Sequence, residues 1–157
     1  MTKKIVLLVA TALLLLPMVI PGRSFEITRE EIEAANDPIE IIKRVADKRG
    51  IAQEDMLAIS HQESLLGKIK VGDEGCSLGY FHINTCVHVA AIKIIGDVRA
   101  EAEWVSDRLE EYGYIGGSRR KAIAMYNAPA NPNWNYADQV EGRKKFIEKY
   151  VDKGQQK

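Results

Sequence analysis

A mainly α-helical domain with a small irregular loop or β-hairpin after the helix that carries Glu63 is the fold predicted for this chain. Three observations predict it. Apolar residues recur at helical spacing in several segments, helix-starting and helix-ending residues bracket those segments, and residues 68–79 hold three glycines and no sustained period. Thr28 and Glu31 form a capping-box pattern, predicting a short helix over 29–35 that ends before Asn36. Asp37-Pro38 opens the next, with Ile39, Ile42, Val45 and Ala46 as its apolar stripe, basic residues in its last turn and Gly50 as its stop. The following helix is predicted over 53–66. Its stripe is Ala52, Met56, Ile59 and Leu66, Glu63 falls inside that stripe, and Gly67 closes it.

Residues 86–95 are apolar and β-branched, so length and propensity disagree about helix or strand. Asp97 caps a clearer helix whose Val98, Ala102, Val105, Leu109 and Tyr112 share one face, and Gly113 and Gly116-Gly117 end it. Ser118 starts another, running to about Asn127 with Ala122, Met125 and Tyr126 inward; Pro129 and Pro132 forbid its continuation. A last amphipathic helix is marked by Tyr136, Val140, Ile147 and Tyr150, and residues 154–157 read as a frayed tail. There is no internal repeat and no low-complexity tract.

The 157 residues make one domain with a real core and no room for a second. Residues 1–24 stand apart from it. Lys3 and Lys4 precede an uncharged apolar run from Ile5 to Ile20, and Gly22-Arg23-Ser24 offers small residues where a signal peptidase reads. The expectation is export, with cleavage near Ser24 and residues 25–157 as the mature domain. An uncleaved N-terminal anchor is the alternative, since the run approaches the length of a membrane span and only Pro17 interrupts it. The whole chain holds 22 basic and 22 acidic residues, and without the first 24 it holds 19 and 22. That balance argues against nucleic acid as the main ligand and suits a neutral or mixed polymer. Cys76 and Cys86 both fall in exported sequence, where a pair is more often a disulfide than two free thiols, and they bracket residues 79–84.

Glu63 is the candidate for chemistry. A carboxylate on an apolar helix face, in the last turn where the macrodipole's negative end lies, is driven to keep its proton, which makes it a general acid. Glu63-Ser64 ends this helix, Gly79-Tyr80-Phe81-His82-Ile83 follows, and Ala124-Met125-Tyr126-Asn127 comes near the end of the domain. These three motifs, in this order and over roughly residues 39–150, resemble the lytic transglycosylases of the goose-type-lysozyme-like class. That family shows a Glu-Ser pair, a Gly-x-x-Gln-hydrophobic stretch and an Ala-x-Tyr-Asn stretch. The chain departs from the pattern at His82, where the family usually has Gln.

The resemblance implies an α+β lysozyme-like fold, a small sheet in the 68–79 region, and a short helix within 86–95. It also implies cleavage of the β-1,4 bond between N-acetylmuramic acid and N-acetylglucosamine in peptidoglycan glycan strands. Glu63 would serve as acid and then base, with a 1,6-anhydro product and no second carboxylate. A hydrolytic lysozyme is the alternative, for which Asp73 and Glu74 are the acids available in the adjoining loop. A wall-binding or assembly protein that kept the fold and lost turnover is the other, with His82 as its support. Ser64, Gly79, Tyr80, Phe81, His82, Tyr126 and Asn127 are the candidate substrate-binding residues, with Tyr126 also expected to reach Glu63 through its hydroxyl. Trp134 and Tyr136 are read either as a far wall of the groove or as a plug. Cys76, His82, Cys86 and His88 do not fall at a standard zinc spacing, so neither a metal nor another cofactor is expected. A monomer is expected. Secretion, conjugation or phage machinery that penetrates an envelope is a setting in which such an enzyme would work, in the periplasm or the cell envelope.

Overall fold

The structure is a computed structural model that describes residues 37–154, with side chains through residue 148. The apolar segment 1–24, the helix expected over 29–35, the Tyr150 side chain and residues 155–157 lie outside the described residues. The described chain is mostly helical with one small antiparallel sheet.

Helix α1, Pro38–Lys48, starts where Asp37 accepts the Ile39 amide at 2.8 Å and proline occupies the first turn. Its stripe of Ile42, Val45 and Ala46 is buried. Helix α2, Gln53–Ser64, stops two residues short of the expected end, because Leu65 and Leu66 both adopt left-handed conformations, with φ of 54° and 57°. Strands β1 (Val71–Gly72), β2 (Ser77–Leu78) and β3 (Ile83–Asn84) form the three-stranded sheet in that order, with Val71 opposite Leu78 and Ser77 opposite Asn84. A 3₁₀ turn over Asp73–Gly75 joins β1 to β2. The Cys76–Cys86 disulfide staples the start of β2 to the turn that follows β3. The ambiguous 86–95 segment resolves as a 3₁₀ helix, Val89–Ile94.

Helices α3 (Val98–Glu111), α4 (Arg119–Asn127) and α5 (Trp134–Gly154) complete the domain. Asp97 caps α3 by accepting the Arg99 and Ala100 amides, and Ser118 caps α4 through the Lys121 amide. Helix α2 packs between α1 and α5, α3 lies on α1, and α4 lies on α5. The inward face of α4 is Ala122, Ile123 and Ala124, with Met125 and Tyr126 only partly covered, so the sequence expectation there is off by a fraction of a turn.

A buried carboxylate fixes α2 in this stack. Asp55, 2% exposed, accepts the Tyr114 hydroxyl at 2.5 Å, pairs with the Arg119 guanidinium and lies 3.4 Å from the Lys144 ammonium. Pairing of this kind offsets the desolvation cost of an ionised side chain. Burial and the Asp55 partner push the Tyr114 hydroxyl up to about 12. Among the described residues no helix is long and apolar enough to cross a membrane.

Candidate active site

Glu63 is the penultimate residue of α2, and its side chain is only 15% exposed. One carboxyl oxygen, Oε1, accepts the Tyr136 hydroxyl at 2.5 Å. The other, Oε2, lies 3.8 Å from Nδ1 of His82. Burial pushes the Glu63 carboxyl up from its ordinary value; the Tyr136 hydrogen bond and His82 pull it partly back, and the nearby Asp73 charge pushes it further up. The balance is upward, as a group that must hold a proton before reaction requires.

The turn that carries residues 79–82 is locked from below. Ser60 and Ser64 both donate to the Tyr80 carbonyl, at 3.0 and 2.7 Å, and Ser64 also accepts the Gly67 amide at 2.7 Å. The carboxylate of Glu101, wholly buried on α3, accepts the Tyr80 amide at 2.6 Å and the Gly96 amide at 2.7 Å. Gly79 has φ of +84°, and a Cβ there would sit 2.4 Å from a Glu101 oxygen. Glycine is required at this position so that the turn can close over the carboxylate. Tyr126 donates its hydroxyl to the Phe81 carbonyl at 2.9 Å, tying α4 to the same turn.

A cavity of about 310 Å³ opens above this base. Glu63, Asp73, His82 and His88 line it, as do Trp104 and Arg108 of α3 and Tyr112 just past that helix's end. Tyr126, Asn127 and Pro129 border it as well. The His88 ring meets the Trp104 ring edge-on at 5.1 Å, and the Arg108 guanidinium lies 5.6 Å from the Trp104 ring centre. Such a wall offers aromatic faces for sugar rings and polar tips for their hydroxyls. Ser77, Ile83 and Asn84 also line the cavity, and the Cys76–Cys86 disulfide closes the segment that carries them.

The sequence-predicted residues divide into two groups. Glu63, His82, Tyr126, Asn127 and Asp73 come together around the cavity. Ser64 does not: it is fully buried, and its hydroxyl is spent on backbone groups. Phe81 is likewise fully buried, Gly79 faces Glu101, and Tyr80 is 9% exposed against Gly67 with the Lys70 ammonium 4.5 Å from its ring. These four build the turn and do not line the cavity. Glu74, exposed and left-handed at φ 55°, does not line it either.

The hydroxyl that reaches Glu63 belongs to Tyr136, not Tyr126. Burial, then the Glu63 charge, raises the Tyr136 hydroxyl well above its ordinary range, so it serves as a donor. Burial likewise raises Tyr126. Trp134 stays 45% exposed under the Arg120 guanidinium and takes no part in the cavity. Among the described residues no three of His, Cys, Asp and Glu gather as a metal ion would need.

No protein-family model, no curated protein and no solved structure matches this chain. The functional reading therefore rests on the residues of this cavity and on the motifs they carry.

Proposed function

We propose that the chain is a peptidoglycan lytic transglycosylase with a lysozyme-like fold, acting on the bond between N-acetylmuramic acid and N-acetylglucosamine. The observation that carries the proposal is the Glu63 carboxyl: buried at a helix end, held by the Tyr136 hydroxyl, raised toward its protonated form and open to a cavity with an aromatic wall. Glu63 gives its proton to the glycosidic oxygen as the bond to the muramyl C1 breaks. The acetamido oxygen of the same sugar closes onto C1 and holds the positive charge. The Glu63 carboxylate then takes the proton of the C6 hydroxyl, whose oxygen attacks C1 and releases the acetamido group as the 1,6-anhydro ring forms. Tyr136 keeps the carboxyl aimed and donates to it while it is ionised.

Hydrolysis is the second reading, and a specific observation favours it. Asp73 lines the same cavity, with its Oδ2 accepting the Ser77 hydroxyl. A carboxylate so held could orient a water molecule on the opposite face of the sugar. Mass spectrometry of peptidoglycan digested by the protein separates the two readings. Products carrying anhydromuramyl ends, each lighter by one water than the hydrolytic product, are expected. Reducing muramyl ends would assign Asp73 as the second group, and soluble glycan in neither form would favour a wall-binding protein. The setting we infer is the cell envelope, with the apolar segment of residues 5–20 and the Cys76–Cys86 disulfide in accord with export.

A further inference from the structure

His82 stands where a neutral amide is expected, and its surroundings give the imidazole a defined orientation. Its Nε2 lies 2.9 Å from the carbonyl oxygen of Ile69. A carbonyl only accepts, so Nε2 carries a hydrogen in either charge state of the ring. Nδ1 is then the nitrogen left to act on Glu63, and it faces Oε2 at 3.8 Å. The ring lies against Gly72, where a Cβ would come within 3.0 Å of its Cε1, and His82 itself sits at φ +44°. Both side chains are nearly covered, 14% and 15% exposed. A residue in a costly backbone conformation, with one nitrogen anchored and the other aimed at the acid, is built for that acid.

We propose that His82 is the electrostatic partner of Glu63, a positioning residue whose Nδ1 faces the carboxyl oxygen that Tyr136 leaves free. The inference rests on the reading of Glu63 as the acid. When Glu63 has given its proton to the leaving oxygen, a hydrogen on Nδ1 faces the new carboxylate and stabilises it. The proton that Glu63 loses returns from the C6 hydroxyl, so His82 ends each turnover as it began. Among the described residues, the groups facing Glu63 besides His82 are Tyr136 of α5 and Asp73 of the turn after β1, while Tyr126 of α4 feels the charge of Glu63 from further off.

Carboxyl ¹³C NMR titration of Glu63 in the folded protein, wild type beside His82→Gln, tests this without any need for turnover. The His82 charge pulls the Glu63 carboxyl down, so its removal raises the Glu63 midpoint. The alkaline limb of the activity profile moves up with it, since the acid must be protonated. An unmoved midpoint together with weaker substrate binding would overturn the proposal and leave His82 as a sugar contact. Should His82→Gln not fold, ¹⁵N shifts of the wild-type imidazole decide: a hydrogen held on Nε2 is expected, and a ring with a bare Nε2 and its hydrogen on Nδ1 refutes it. A moved midpoint in a protein that releases no glycan would uphold the pair and reject the glycosidase reading.

Discussion

At the scale of single residues, two hydroxyls are exchanged between expectation and structure. Tyr126 and Tyr136 stand ten apart in sequence, both project toward the Glu63 end of α2, and their rings lie 6.4 Å apart. Only Tyr136 touches the acid. Its place on the inward stripe of the last helix was legible from periodicity, but its partner was not, because periodicity gives a face and not a height along a neighbouring helix. Tyr136→Phe keeps the packing and removes the donor to Oε1. Hydrogen bonds to charged groups contribute about 1.5–3 kcal/mol, so turnover is expected to fall roughly ten- to a hundredfold. The alkaline limb of the pH profile should shift upward, because the lost bond favoured the ionised form. Steady-state rates measured across pH check both effects.

The elements were legible where caps and stripes agree, as they do in α1 and α3. They were less so where side chains outside the element decide. Helix α2 ends at Ser64 and not at Leu66, where the chain turns left-handed, and Ser60 and Ser64 tie that end to the Tyr80 carbonyl twenty and sixteen residues away. Glu101 was invisible for a similar reason. It sits one position before Ala102 on an apolar face, and nothing in its own segment announces that its acceptors serve the Tyr80 and Gly96 amides. Gly79 is the counterpart that allows this contact. Gly79→Ala imposes a side chain at φ +84° and drives it into the Glu101 carboxylate. The left-handed conformation alone costs about 1–3 kcal/mol for a residue with a Cβ, and the clash adds to it. Denaturant unfolding should register at least that loss, whereas an unchanged midpoint would mean that the turn opens freely.

For the molecule as a whole, the site costs stability. Burial raises the Glu63 carboxyl above its unfolded value, so the native state binds this proton more tightly than the unfolded chain does. The sign follows from linkage: the contribution of Glu63 is fully present below its unfolded pKa and is lost as pH rises through the higher, folded one. Glu63→Gln removes the ionisation. The variant should therefore be the more stable protein at neutral pH, and its advantage should shrink as pH falls toward the unfolded carboxyl's range. Thermal melts of both proteins from acidic to neutral pH measure this, and an acid that destabilises its own fold fits a group kept for chemistry.

The central claim is that Glu63 is the proton donor in glycan cleavage. The most direct test is release of soluble glycan from purified peptidoglycan by the wild type and Glu63→Gln, each first shown folded by circular dichroism. General acid catalysis contributes about 10²–10⁴-fold, and the amide cannot supply it. A folded Glu63→Gln that releases glycan at least a hundredfold more slowly is the expected result; release at the wild-type rate would contradict the assignment.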